Sequence, residues 1–310
     1  MNTTPFSPLH FTAATASDRE HAGGDRGLVL GGGGSVGNAW LIGVTAGLFD
    51  AGLDVTQADL IVGTSAGSTT AAQITSAAPT ELLAAILAAE PRQPTGPASD
   101  RVAIAASQME RTSAIIAAAA DPADMRRRLG AAALEMDAGS DGSRQARWRA
   151  TVAARLPSQH WPERTMLITA VDARTGEPVV FDRHSGVELV DAVAASTSGG
   201  APYSIGDNRY LDGGYRRNEN ADLAAGYARV LVLSPFGGRT RTPLEWGMHL
   251  AAQVDELRAR GGRVETIFPD GESAHMFGAN AMDLSLRPPA ARAGYDQGRA
   301  LAGQLTEFWR

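Results

Sequence analysis

The sequence predicts an α/β fold: a mainly parallel central sheet, helices on its faces, and a helical insertion between its two halves. Two observations carry that reading. Two strand–glycine turn–helix units follow one another within the first 80 residues, the repeat that builds parallel sheets. Strand signals then return beyond residue 165, after a long Ala- and Arg-rich stretch of helical periodicity. With 310 residues the chain can bury one large α/β core or two modest ones.

Residues 1–26 are polar, carry no apolar h-region, and read as a flexible N-terminal arm without a secretory signal. Residues 27–31 read as a short buried strand, followed at once by a glycine run. Residues 38–51 place apolar side chains at helical spacing, with Gly52 as the C-terminal cap. Residues 59–62 read as a second buried strand, then Gly-Thr-Ser-Ala-Gly, then a helix of small residues over 66–78. The segment 80–160 is predicted helical, broken at 91–97 by PRQPTGP and at 138–143 by AGSDGS. Residues 126–155 hold seven arginines against Glu135, Asp137 and Asp141. That pattern fits a solvated helical face, or a cap whose basic side meets anionic head groups. Strands are expected at 166–171 and 178–181, a helix at 187–197, and a short strand ending at Leu211. Further strands are expected at 229–233 and 264–268, and a C-terminal helix at 289–309.

Composition excludes several chemistries. The net charge of −6 is the opposite of a general nucleic-acid binder's. No apolar run of membrane-spanning length occurs, so cytoplasmic residence is the expectation. There is no cysteine, and all 28 basic residues are arginine. Thiol nucleophiles, disulfides, Schiff bases, a Ser–Lys dyad and a P-loop lysine are therefore impossible.

The first chemical signal is the run Gly31-Gly32-Gly33-Gly34-Ser35-Val36-Gly37. A turn without side chains lets backbone N–H groups face a ligand, and the following helix N-terminus adds positive potential. Such a cradle suits a pyrophosphate or an oxyanion. Gly32-x-Gly34-x-x-Gly37 also matches a dinucleotide fingerprint, with Asp54 near the distance of a ribose-binding acid. The second signal is Gly63-Thr64-Ser65-Ala66-Gly67, a G-x-S-x-G elbow between a buried strand and a helix. Ser65 follows Gly34 by 31 residues, one strand–helix–strand unit, so both turns are expected on one sheet edge. This favours an oxyanion cradle for a carbonyl attacked by Ser65.

The serine needs a base. Of the six histidines none sits in a recognisable motif, although His275 lies late enough for an α/β-hydrolase triad. The other candidate is Asp212, in Tyr210-Leu211-Asp212-Gly213-Gly214 at a strand end; such an Asp-Gly is equally frequent in plain turns.

Glycine loop, GTSAG and DGG, in that order over about residues 27–235, resemble the patatin-like phospholipase family. Ala195-Ser196-Thr197, Ala201-Pro202-Tyr203 and Asn218 add to the likeness. The resemblance implies a three-layer α/β/α patatin-like fold, Ser65 as nucleophile, Asp212 as base, and Gly32, Gly33 and Gly34 in the oxyanion loop. Gly37, Gly63, Gly67, Gly213 and Gly214 complete its motifs. It implies a lipid or acyl-ester substrate, contact with a membrane surface, and no metal or cofactor. The sequence departs from the family at Val36, where a basic residue is usual, and at Asn220, where proline is common.

Overall fold

The computed structural model describes residues 24–89 and 98–310. The predicted arm, apart from residues 24–26, and the 91–97 break lie outside the described residues. Eight strands form one sheet in the order β5-β6-β3-β2-β1-β7-β8, with β4 paired to β3. They are β1 (Arg26–Leu30), β2 (Leu60–Gly63), β3 (Thr165–Asp172), β4 (Pro178–Phe181), β5 (Tyr203–Ile205), β6 (Asn208–Asp212), β7 (Arg229–Leu233) and β8 (Arg263–Ile267). The pairings β3-β2, β2-β1, β1-β7 and β7-β8 are parallel, and those of β3 with β4 and β6, and of β5 with β6, are antiparallel.

Side chains alternate between the faces of the sheet, as strand geometry requires. Leu28, Leu30, Ile61, Ile168, Leu231 and Leu233 enter one core with helices α1 (Gly34–Asp50), α2 (Ala66–Ile74), α7 (Leu189–Ser196) and α9 (Arg287–Trp309). Val29, Val62, Leu167, Val230 and Val232 enter the other, closed by α8 (Leu250–Ala259) and a turn over Ala221–Ala224. The result is three layers.

The predicted insertion contains α3 (Pro79–Ala88), α4 (Ala98–Ala118), α5 (Pro122–Asp137) and α6 (Ser143–Ala153). They pack in three places: Leu83 and Ile86 of α3 join α1 and α9, Trp148 of α6 joins α7's core, and α4 and α5 cover Val171 and Leu211. Three of the seven arginines over 126–155 reach neighbouring elements, and Arg127 and Arg128 pair with Asp124 of their own helix while staying half-exposed. Arg126 donates to the Gly176 carbonyl (2.6 Å), Arg128 pairs with Asp124 (2.7 Å), Arg144 pairs with Asp137 (3.1 Å), and Arg149 pairs with Asp191 (2.8 Å) and Glu188.

Two departures from the sequence reading matter for the site. Helix α1 starts at Gly34 rather than residue 38, because Gly34 (φ 64°) turns the chain directly into the helix. β5 and β6 form a hairpin antiparallel to β3, so Asp212's strand does not run with the parallel set.

α1 and α9 approach unusually closely, through Gly43 and Gly47 on one and Gly294 and Gly298 on the other. A Cβ on Gly47 would stand 2.1 Å from the Tyr295 carbonyl oxygen, and one on Gly298 2.3 Å from that of Val44.

Candidate active site

The register of β3 explains how two distant turns meet. One of its edges pairs with β4 over Ile168–Val171. The other pairs with β2 as far as Ile168↔Gly63, then with β6 from Ala170↔Asp212. The two strands thus approach each other end on along a single edge. Ser65 stands two residues beyond Gly63, where Asp212 arrives.

Ser65 occupies a strained elbow, φ 52° and ψ −116°, a conformation that non-glycine residues rarely adopt. The turn closes because its glycines vacate space. A Cβ on Gly67 would lie 1.9 Å from the Leu30 carbonyl oxygen, and one on Gly63 2.6 Å from the Ser68 Cα. The Ser65 N–H donates to the Ser196 hydroxyl (3.0 Å) at the end of α7. The Asp212 carboxylate accepts the Gly214 N–H (2.8 Å), and the Ser65 hydroxyl lies close enough to lower its pKa. Gly213 must be glycine too, since a Cβ there would meet the Thr169 hydroxyl at 2.2 Å. No cation pairs with Asp212 among the described residues, and loss of water pushes its pKa up to about 6 against the pull of the Gly214 amide and the Ser65 hydroxyl.

Ser65, Asp212, Gly32, Gly33, Gly34 and Gly214 line one pocket of about 350 Å³. Gly37 lies behind, its Cα 2.9 Å from where a Gly33 Cβ would be. The three glycines assigned to the amide cradle are not equivalent. The Gly32 N–H donates to the Asn218 carbonyl (3.0 Å) and is engaged, whereas Gly33 and Gly34 have no backbone acceptor among the described residues. Thr112 and Tyr215 line both this pocket and an adjoining, largely apolar one of about 360 Å³ bounded by Ile115, Leu129, Ala132, Ala133, Met136 and Leu211.

No histidine lines this pocket among the described residues; His275 is exposed, its Nδ1 2.8 Å from the Glu272 carbonyl. Asp54 caps a short turn by accepting from the N–H (2.9 Å) and hydroxyl (2.6 Å) of Thr56.

Three residues that the sequence reading did not place in the site hold it together. Asn220, buried at φ 55°, puts its side-chain amide nitrogen within reach of the Thr64 hydroxyl (2.9 Å), the Thr169 hydroxyl (3.2 Å) and the Gly213 carbonyl (3.2 Å). It thereby joins the residue before the serine to the residue after the aspartate. Proline, whose φ is fixed near −65°, could not adopt this geometry. Buried Glu219 accepts from Ser234 (2.7 Å) and from Asn218 (2.8 Å), whose Nδ2 also reaches the Gly32 carbonyl (3.3 Å). Burial raises the Glu219 pKa. Arg287 of α9 donates to the Ser35 carbonyl (2.6 Å) and to Asn38 (3.2 Å), bracing the turn where Val36 replaces a basic residue; burial lowers its pKa to about 10.

The family model for patatin-like phospholipase matches residues 28–225, a span that contains every one of the motif residues above. The chain belongs to the patatin-like phospholipase family. The patatin fold accounts for the mainly parallel sheet and its helices, and membership places the protein among lipid hydrolases. Among solved structures, VipD from Legionella pneumophila is similar at 14% identity and a TM-score of 0.39, covering 90% of this chain and 67% of that one. No curated protein matches. No described helix of this patatin-like chain is long and apolar enough to cross a membrane.

Proposed function

We propose that the protein hydrolyses acyl-ester lipids through a Ser65–Asp212 dyad. The observation that carries this is Ser65, on a strained elbow, sharing one pocket with the Asp212 carboxylate, whose pKa its hydroxyl lowers, and with no described histidine. Asp212 takes the hydroxyl proton as Ser65 Oγ attacks the ester carbonyl. The oxyanion is held by the amides of Gly33 and Gly34 beside the N-terminus of α1, each donor contributing about 3 kcal/mol. On collapse the ester C–O bond breaks, Asp212 returns the proton to the leaving alcohol, and an acyl-serine remains. Water, deprotonated by Asp212, then attacks the acyl carbon; the bond to Ser65 Oγ breaks, Asp212 returns the proton to that oxygen, and the fatty acid leaves. The apolar pocket beyond Thr112 and Tyr215 takes the acyl chain. Met282, 70% exposed at the rim of the catalytic pocket, gives the mouth an apolar edge against a lipid surface.

The test is turnover of p-nitrophenyl esters together with labelling by a fluorophosphonate probe. Ser65→Ala abolishes both. Asp212→Asn lowers turnover by about 10³-fold or more with the fold intact. Near-normal turnover by Asp212→Asn would overturn the dyad.

A further inference from the structure

Resting on the hydrolase reading above, we propose that the catalytic pocket selects lipids with an anionic, phosphate-bearing headgroup, received by Arg239 and Arg241. The placement follows from the sheet. β7 pairs with β1 as far as Leu30↔Leu233, so the chain leaving β7 runs beside the glycine loop. Pro235 fills the space that a side chain on Gly33 would need. Gly237 (φ 67°) and Gly238 (φ 70°) then turn the chain back, their N–H groups donating to the Ser234 carbonyl (3.0 Å) and hydroxyl (2.9 Å). This brings Arg239 and Arg241 to the wall of the cavity that holds Ser65 and Asp212.

Both guanidinium groups are anchored without being neutralised. Arg239 donates to the Phe236 carbonyl (2.9 Å), and Arg241 to the Met109 carbonyl (3.0 Å) and the Ser113 hydroxyl (2.9 Å) on α4. Neither pairs with a carboxylate among the described residues. Arg217, on the same wall, is different: Glu256 (2.6 Å) and Asp222 (3.5 Å) offset its charge. Asp212 is the one described carboxylate lining the pocket. A chain of net charge −6 thus sets two exposed, uncompensated cations at the wall of the pocket that holds Ser65.

Guanidinium matches a phosphate in charge and in hydrogen-bond geometry. The phosphate of a glycerophospholipid lies a few bonds from its ester carbonyls, so an ester engaged by Ser65 brings its phosphate to this same wall. A quaternary ammonium meets two like charges there and no described carboxylate beyond the base Asp212. The preference is therefore for an anionic headgroup such as glycerol phosphate over a zwitterionic one such as phosphocholine.

The test separates this proposal from the hydrolase reading. Ser65→Ala protein is titrated calorimetrically with dihexanoyl phosphatidylglycerol, dihexanoyl phosphatidylcholine and inorganic phosphate, alone and with Arg239→Gln/Arg241→Gln added. The expected result is about tenfold tighter binding of phosphatidylglycerol than of phosphatidylcholine, lost in the arginine variant. Equal affinities overturn the proposal, as does a preference that survives the double substitution. Inorganic phosphate binding as tightly as phosphatidylglycerol also overturns it, because the site would then be one for the free ion. The adjoining cavity of about 520 Å³, with Arg147 and Arg209, supplies the comparison. If Arg147→Gln/Arg209→Gln removes the preference and the first pair does not, the assignment is wrong. Circular dichroism of each variant establishes folding. Failure of the wild type to hydrolyse p-nitrophenyl butyrate would sink the hydrolase reading, while the calorimetry would still report on the headgroup.

Discussion

Asp212 is a carboxylate drawn partly out of water with a hydroxyl and one amide for partners, and its pKa of about 6 sets two expectations. As the proposed base it would work ionised, so kcat/KM for a neutral ester should rise with pH through an acid limb near 6 and then level off, measured over pH 4.5–8. For stability, the folded state holds this proton more tightly than the unfolded chain does. Its contribution is therefore most favourable below the unfolded value and is lost as pH rises through about 6. Asp212→Asn should raise Tm at pH 8 and lose that gain by pH 4; a gain that is equal at both would contradict the assignment. At Asn220 the backbone and the side chain can be separated. Asn220→Gly keeps the φ of 55° but removes the amide that joins Thr64 to Gly213, so kcat on a short ester should fall about tenfold with KM little changed. Unchanged kcat would mean that the two turns hold themselves. Ser65 and Asp212 were legible because an elbow and a strand-end turn write their glycines next to the reactive residue. Asn220, Glu219 and Arg287 were not, because each acts through partners from remote segments, as in the bond from Arg287 to Ser35 across 252 residues.

Among the elements, α4 and α5 have the clearest separate role, since they wall the apolar pocket beside the site. Ala132, partly exposed on α5, lines that pocket. Ala132→Phe should lower kcat/KM about tenfold on a p-nitrophenyl palmitate substrate while leaving the acetate ester nearly unchanged. An equal effect on both would place the acyl chain elsewhere. The helical period of this region was readable, but its destination was not. Three of the seven arginines read there as a solvated or lipid-facing surface, Arg126, Arg144 and Arg149, are tied to carboxylates or carbonyls of neighbouring elements. Arg127 and Arg128 pair within their own helix and stay half-exposed. Pattern reports which residues share a face; it does not report what that face meets. The β5–β6 hairpin was half-read for a related reason. Three-residue strands carry little period, and the direction in which β6 pairs with β3 is a tertiary choice.

Across the whole molecule, the parallel character of the sheet was legible in alternating strand and helix signals, but neither its order β3-β2-β1-β7-β8 nor the clasp of α1 by α9 was. The spacing Gly43/Gly47 and Gly294/Gly298 stands in the sequence, yet it acquires meaning through a partner more than 240 residues away. Gly47→Ala or Gly298→Ala should force the helices apart at a cost of about 1–3 kcal/mol, seen as a Tm lower by roughly 2–8 °C. Unchanged melting would mean that the helices separate freely.

The clasp also bears on synthesis. The glycine loop, the serine elbow and the carboxylate all leave the ribosome before the Ala281 carbonyl that holds the Val36 N–H, and before Arg287, which grips Ser35. A nascent chain that ends short of these residues carries its reactive groups with the first turn of α1 unbraced. The polypeptide thus gains a set site late in its own translation, after most of its sheet has had time to form.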